Sequence, residues 1–340
     1  MTVSAAPDSV APAASTGVTR RVTRPEAAAE IAQRFGAAVV LVAVLLLGTG
    51  LFGANFASAR NFGNVALDAS YLVLIAIGMT FVIISGGIDL SVGSLLALSG
   101  VLAAYGSRWG TLGALLLPLV VCGAIGLANG VLVGRARIAP FIVTLAALLF
   151  ARGLAFAVSQ EGNKVYIIPP DLVLTRIGQA ELFGVGAPVL FALLAFAIAL
   201  LVLNRTRFGQ TVYAVGGSQD AAELMGLPVV RVRILVYVVS ALLTSCAGIL
   251  VAAQTSSGLP TIGEGRELEA IAAVVIGGSL LSGGAGSLGG TLAGVLLLKV
   301  IQNLINQVGT LSSYVQQVVS GAFLLLVVLV QVYLSRRRRL

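Results

Sequence analysis

From residue 36 to residue 56 the chain carries no charged side chain, and stretches of the same kind recur almost to its end. They can be drawn at about 36–56, 66–86, 90–107, 111–133, 138–158, 184–204, 234–256, 268–282, 286–307 and 315–334. A helix rises ~1.5 Å per residue, so roughly 20 apolar residues cross the ~30 Å hydrocarbon layer of a bilayer. These stretches are therefore written for lipid, not water. Composition agrees: 58% of side chains are hydrophobic, 10% are charged and mean hydropathy is +1.03, whereas about a quarter of a soluble domain is charged. The expected fold is an all-α polytopic membrane protein with about ten transmembrane segments. Two regions, 66–107 and 268–307, are pairs of short, glycine-broken runs that read either as two full spans or as re-entrant elements.

The loops orient the chain. An even number of spans, ten or eight, puts both termini on one side. With the termini inside, the cytoplasmic segments hold Arg20, Arg21, Arg24, Arg34, Arg135, Arg137, Arg205, Arg207, Arg231, Arg233 and Arg336 to Arg339. The opposite side holds Arg60, Arg108, Lys164, Arg176 and Arg266, so the positive-inside bias places both termini in the cytoplasm. Residues 1–25 are rich in Ala, Pro, Ser and Thr and read as a disordered cytoplasmic tail. Residues 26–35, with acids early and Arg34 late, read as a short interfacial helix. Residues 36–335 form the membrane domain, with a cytoplasmic loop at 205–233, and 336–340 form a basic end.

Several chemistries are excluded by what is missing. The chain has no histidine, which removes the usual general base and the commonest zinc ligand. Cys122 and Cys246 lie inside apolar runs and read as small buried thiols. A phosphate-cradling loop needs glycines followed by lysine and a hydroxyl residue. The two lysines, Lys164 and Lys299, are each followed by valine. ATP-driven transport would need another polypeptide to hydrolyse the nucleotide.

Polar groups inside apolar runs are costly and mark function or specific pairing. Asp89, in Ser85-Gly86-Gly87-Ile88-Asp89-Leu90-Ser91-Val92-Gly93-Ser94, reads first as a cap on the following helix. A proton or cation site and a direct substrate ligand stay open. Glu267 and Glu269 introduce the second glycine-broken region in a similar way. Lys299, Gln302, Asn303 and Asn306 share one helix face at i, i+3, i+4 and i+7, either lining an aqueous path or bonding between helices. Arg152 is placed to snorkel at the outer end of its span. Two ridges of small residues, Cys122-Gly126-Gly130-Gly134 and Ser282-Gly286-Gly290-Gly294, predict close helix–helix seams. In the loop 205–233, GGSQDAAELMGLP carries the signals of a very short helix: Ser218 or Asp220 at its start, then Gly226 and Pro228 at its stop. Two turns are unstable alone, so this helix must rest on the protein or on a partner.

Two long runs carry a family resemblance. Gly78-Met79-Thr80-Phe81-Val82-Ile83-Ile84-Ser85-Gly86-Gly87-Ile88-Asp89-Leu90-Ser91-Val92-Gly93-Ser94 resembles a signature of permease subunits of bacterial ABC sugar importers of the ribose type. Glu267-Leu268-Glu269-Ala270-Ile271-Ala272-Ala273-Val274-Val275-Ile276-Gly277-Gly278, continuing through Ser282-Gly283-Gly284-Ala285-Gly286-Ser287, is similar to the second. The resemblance covers roughly residues 36–335. Thr206-Arg207-Phe208-Gly209, Tyr213-Ala214-Val215-Gly216-Gly217, Leu224-Met225-Gly226 and Asn306 through Gly309-Thr310-Leu311-Ser312-Ser313 most resemble a permease of the galactofuranose importer.

The resemblance implies a non-catalytic subunit in the bacterial inner membrane that moves a monosaccharide by alternating access. Its implied partners are a cytoplasmic ATPase that binds ATP and Mg, a second permease, identical or related, and an extracytoplasmic sugar-binding protein. This chain would bind no cofactor itself. Gly217, Ser218, Asp220, Ala221, Glu223, Met225 and Gly226 would dock on the ATPase. Asp89, Ser91, Ser94, Lys299, Gln302, Asn303 and Asn306 would lie on the path, and Glu161, Asp171, Glu264 and Glu267, in the loops 159–183 and 257–267, would meet the binding protein. The arginine cluster at the end suits anionic lipid, not nucleic acid. The competing function is an ion-coupled secondary sugar transporter that uses Asp89.

Overall fold

The computed structural model describes the backbone of residues 24–307 except 183, the side chains from residue 36 onward, and isolated positions between 315 and 325. The drawn stretch 315–334, the basic end, the segment Gly309 to Ser313 and most of the tail fall outside the described residues.

Twelve α-helices occupy the described residues: α1 Arg24–Phe56, α2 Ala59–Ile84, α3 Val92–Gly106, α4 Gly110–Gly134, α5 Pro140–Val158, α6 Val173–Gln179, α7 Ala187–Arg205, α8 Arg207–Gly217, α9 Gln219–Leu224, α10 Val229–Thr255, α11 Arg266–Ile276 and α12 Leu288–Gln307. Among the described residues seven stretches are long and apolar enough to cross a membrane. One of them, Val92–Gly134, is not a single helix. A 3₁₀ turn at Ser107–Trp109 and Gly110 at φ 79° fold α3 back onto α4, with the Gly106 and Gly113 backbones in contact. Only glycine lets the two chains approach this closely at the turn. Residues 26–35 continue into the first long apolar stretch as one helix, α1.

One of the ten stretches drawn from sequence, 315–334, lies outside the described residues, and seven of the other nine correspond to helices long enough to span. The shortfall lies mainly in the glycine-broken regions: α3 has 15 residues and α11 has 11. Glycine and polar residues interrupt the backbone at 85–91 and 277–287, so the apolar content of those regions is divided between short helices and loops.

Helices α2, α3 and α10 form the interior. From Ala69 to Ile84 all of α2 is buried except the partly covered Tyr71, and α3 is buried throughout except at Tyr105. Such helices are apolar all round because they have no polar face to present. The ridge on α4 seats against α10: Gly126 meets Ala241, Gly130 meets the Ile234 backbone and Gly134 meets Val230. On α12, Gly290 and Gly294 press against Gly277 and Ala273. Helices α1, α4, α5 and α7 leave large apolar side chains uncovered, among them Leu46, Leu116, Phe150 and Leu201, as a lipid-facing shell does. Two short antiparallel pairs complete the fold: β1 Tyr166–Ile167 with β4 Ser257–Gly258, and β2 Glu181–Leu182 with β3 Val185–Gly186.

Candidate functional site

The loop between α7 and α10 folds as a capped elbow. Thr206 Oγ1 accepts the Gly209 amide at the start of α8, and Ser218 Oγ accepts the Ala221 amide at the start of α9. Both are ordinary N-caps. The end of α9 is closed by the Gly226 amide donating to Glu223 O and the Leu227 amide to Ala222 O, with Gly226 at φ 73°. Only Ala222 of α9 is buried; Asp220, Ala221, Glu223, Met225 and Gly226 are exposed. Leu224 is 90% exposed and Met225 69%. Arg137, in the turn between α4 and α5, pairs with Glu223 at 3.3 Å and so tethers α9 from the side.

Where α8 ends, three stretches of backbone meet. The Gly284 amide donates to Ile84 O at 2.9 Å, joining the two glycine-broken regions directly. Gly216 wedges between them: a Cβ there would overlap the Ile84 carbonyl oxygen and lie 2.7 Å from the Gly284 nitrogen. Gly283 is equally hemmed in, with Gly86 atoms and Gly216 O at 2.9 Å from a notional Cβ. Tyr213, one turn earlier on α8, donates its hydroxyl to Gly286 O at 2.8 Å, and burial raises its phenol above the ordinary value. The elbow therefore touches both signature segments, through backbone at glycines where no side chain fits and through the Tyr213 hydroxyl beside them.

Asp89 lies deeper, opposite the middle of the 27-residue α10. One carboxylate oxygen accepts the Ser91 amide at 3.0 Å and the Ser91 hydroxyl at 2.5 Å; the other accepts the Ser240 hydroxyl at 2.8 Å. Asn129 donates in turn to Ser91 Oγ, and the Tyr237 hydroxyl to Ile88 O. The carboxylate thus holds the turn entering α3 against α10 and α4. The N-cap residue itself is Ser91, which makes no side-chain cap bond. Ser94 is fully buried and its hydroxyl is unpartnered.

A third cluster joins α2, α11 and α12. Lys299 Nζ, on a side chain 2% exposed, contacts Asp68 at 2.9 Å, Glu269 at 3.3 Å and Gln302 Oε1 at 2.9 Å. Gln302 donates back to Glu269, while Arg266 bridges Glu269 at 2.9 Å and Asp68 at 3.4 Å. Further along, Asn303 and Asn61 exchange amide hydrogen bonds at 2.8 and 3.0 Å. The polar stripe of α12 is therefore bonded to its neighbouring helices; Asn306, at its far end, is exposed and also engaged. Among the described residues no group of three or more His, Cys, Asp or Glu side chains is placed to hold a metal ion.

Comparison with known proteins decides the class. The family described as "Branched-chain amino acid transport system / permease component" matches residues 61–328. The chain belongs to this permease family. It is 40% identical over 296 residues to the ribose import permease protein RbsC of Escherichia coli (strain K12), covering 86% of this chain and 92% of that one. It is 42% identical over 284 residues to the inner membrane ABC transporter permease protein YjfF of the same strain (82% and 85% covered). To the L-arabinose transport system permease protein AraH, also of that strain, it is 37% identical over 306 residues, with 88% and 91% covered. No solved structure gives a significant match.

At the far end of the permease, β1 pairs with β4 and brings the loops 159–183 and 257–267 together. Glu161, Asp171 and Glu264 are exposed there. Glu267 is only partly exposed, with its Oε2 buried without a hydrogen bond against Gly93 at the start of α3. Arg152 donates to Pro260 O at 2.9 Å and pins the second loop.

Sequence reasoning missed Asp68 and Arg266 of the permease. The first had a signal: Asn61, Asn64 and Asp68 stand at i, i+3 and i+7 in an otherwise apolar stretch. Arg266 had none, because in sequence it is one more basic residue in a loop. The glycine junction was equally hidden, since nothing in Gly216-Gly217 says what backbone lies against it.

Proposed function

We propose that this permease is the membrane-spanning, non-catalytic subunit of an ATP-driven importer of a monosaccharide in the bacterial inner membrane, with both termini cytoplasmic. The supporting observation is the near full-length similarity to the ribose and L-arabinose permeases. A furanose or pentose fits best, and galactofuranose is the first candidate because the segments around Thr206, Tyr213 and Leu224 resemble that importer's permease. The partners in this reading are an ATPase that binds ATP and Mg, a second permease and a sugar-binding protein outside.

In this reading α9 is the docking point for the ATPase. Gly217, Ser218, Asp220, Ala221, Glu223, Met225 and Gly226 form its surface, and the exposed Leu224 and Met225 supply the apolar contact. Its displacement reaches both signature segments at once, because Gly216 bears on Ile84 and on Gly284. That is the mechanical requirement of alternating access by rigid-body movement. Glu161, Asp171 and Glu264, on the joined outer loops, meet the binding protein, while Glu267 supports α3 from within. Asp89 and Ser91 act as a structural tie behind the path instead of lining it, with both carboxylate oxygens already bonded.

The test is ATP hydrolysis in proteoliposomes containing the permease, its ATPase, its second permease and the binding protein. Stimulation by sugar-loaded binding protein alone is expected, and its sugar dependence names the cargo. Gly226→Pro, which cannot adopt φ 73°, is expected to insert normally and to lose sugar-stimulated hydrolysis. Sugar uptake by the chain alone, collapsing with an ion gradient at constant ATP, would instead establish the ion-coupled reading and return Asp89 to the centre of the mechanism.

A further inference from the structure

The charged cluster is not closed. Asp68 is 47% exposed and Arg266 30%, although both sit among apolar helices and Lys299 between them is 2% exposed. One turn before Asp68 on the same face of α2, Asn64 is also exposed; one turn after it, the Tyr71 hydroxyl is buried without a partner. Asn61, Asn64, Asp68 and Tyr71 thus form a polar stripe at i, i+3, i+7 and i+10. Half-open carboxylate and guanidinium groups cannot face hydrocarbon without a cost of several kcal/mol. The face they occupy is therefore covered by water or by protein.

The chemistry of the opening narrows what it serves. The cluster holds two carboxylates, Asp68 and Glu269, and two cations, Arg266 and Lys299, so it carries no net charge. An ion site or an ion filter needs an excess of one sign. What remains available is hydrogen bonding. A carboxylate accepts at about four lone-pair sites and an arginine donates from five N–H groups. Asp68 and Arg266 spend only part of that capacity on each other and on Lys299 and Glu269. Their mutual bond is long, 3.4 Å from Arg266 Nη2 to Asp68 Oδ1, and it sets the remaining acceptor sites of one beside the remaining donors of the other. That pairing matches adjacent hydroxyls, each of which donates one hydrogen bond and accepts another.

We infer that the opening between Asp68 and Arg266 is a contact site for a neutral polyol, a sugar in transit, with Asn64 and the Tyr71 hydroxyl extending it along α2 and Lys299, Glu269 and Gln302 holding it in shape. The inference rests on the sugar-importer reading and adds the residues that read the cargo's hydroxyls. The path then discriminates by hydroxyl pattern in addition to whatever the binding protein selects.

The test uses the assembled transporter in proteoliposomes and compares sugars that differ by one hydroxyl, D-ribose with 2-deoxy-D-ribose and D-galactose with 2-deoxy-D-galactose. The binding protein is unchanged, so its preference cancels when the parent-to-deoxy uptake ratio is compared between wild type and variant. For Asp68→Asn a shift of about fivefold or more in that ratio is expected for at least one pair, as loss of a charge-assisted hydrogen bond produces. Arg266→Lys, which keeps the charge but not the fork, is expected to shift it also, and serves if Asp68→Asn does not assemble. Equal loss of uptake for parent and deoxy sugars assigns the cluster a purely structural role and overturns the proposal. Loss of the second permease from the purified complex assigns it to a subunit contact and overturns it equally. A wild-type transporter unresponsive to any sugar-loaded binding protein would overturn the importer reading, and this proposal with it.

Discussion

The two glycine-broken segments are joined to the rest of the permease in two opposite ways. Near Ile84, Gly216 and Gly284 they meet as bare backbone, with one amide hydrogen bond and no room for a methyl group. Around Lys299 the second segment is tied to α2 by long charged side chains that leave part of their surface open. A backbone contact has no rotamers and transmits displacement rigidly. A side-chain network can keep its ion pairs while the helices carrying it shift against each other. The first suits a coupling joint and the second a surface that must receive a changing ligand.

The contrast can be broken most severely at Lys299. Lys299→Met removes the buried one of the two cations that Asp68 and Glu269 share and leaves them to Arg266 alone, a loss of about 3 kcal/mol, at the low end for a buried pair because Asp68 is half-exposed. A clear fall in melting temperature of the detergent-solubilised protein is expected, partly reversed by adding Asp68→Asn and Glu269→Gln. If the triple variant is no more stable than Lys299→Met, the charges are not what holds α2 to α12.

Gly216→Ala is next, with an expected cost of about 2 kcal/mol from overpacking and a larger loss in coupling, read as ATP hydrolysis no longer matched by uptake. Its neighbour sharpens the point. Gly217 has nothing within 4 Å of a notional Cβ, so Gly217→Ala is expected to leave the melting temperature unchanged. Equal effects at 216 and 217 would remove the junction from the argument. Tyr213→Phe deletes one hydrogen bond to Gly286 O and is expected to cost about 1 kcal/mol, with coupling weakened but retained. Smallest is Arg137→Ala, an exposed ion pair whose loss is expected to stay within about 0.5 kcal/mol and to shrink further at high salt.

The same contrast explains what the sequence discloses. Helices α1, α5, α7, α10 and α12 follow from long, mainly apolar runs, and α9 is legible because Ser218 and Gly226 are explicit start and stop signals. The seam on α4 follows from small residues at every fourth position, and so does half of the second ridge: Gly290 and Gly294 lie on α12, whereas Ser282 and Gly286 lie in the loop before it. The stripe Lys299-Gln302-Asn303 is visible as a stripe, but its partners are about 30 and 240 residues away in sequence, and one-dimensional spacing does not report them. The inner contact of Glu267 is hidden for a related reason: it stands beside an outer loop by position, and the chain after β4 turns back along α3 and carries one carboxylate oxygen to Gly93. The glycine junction was least legible of all, since glycine is permissive and its sequence signal is an absence.

The α9 tip has a consequence for supply. Leu224 and Met225 stand uncovered at the end of a six-residue helix whose anchors are the buried Ala222 and the exposed Arg137–Glu223 pair. A permease produced in excess of the protein that covers this tip would expose an adhesive, loosely anchored knob to the aqueous phase, where proteases and chaperones sample such features. The lifetime of the orphan subunit, and hence the stoichiometry at which the assembly accumulates, would then be set at a helix that never enters the membrane.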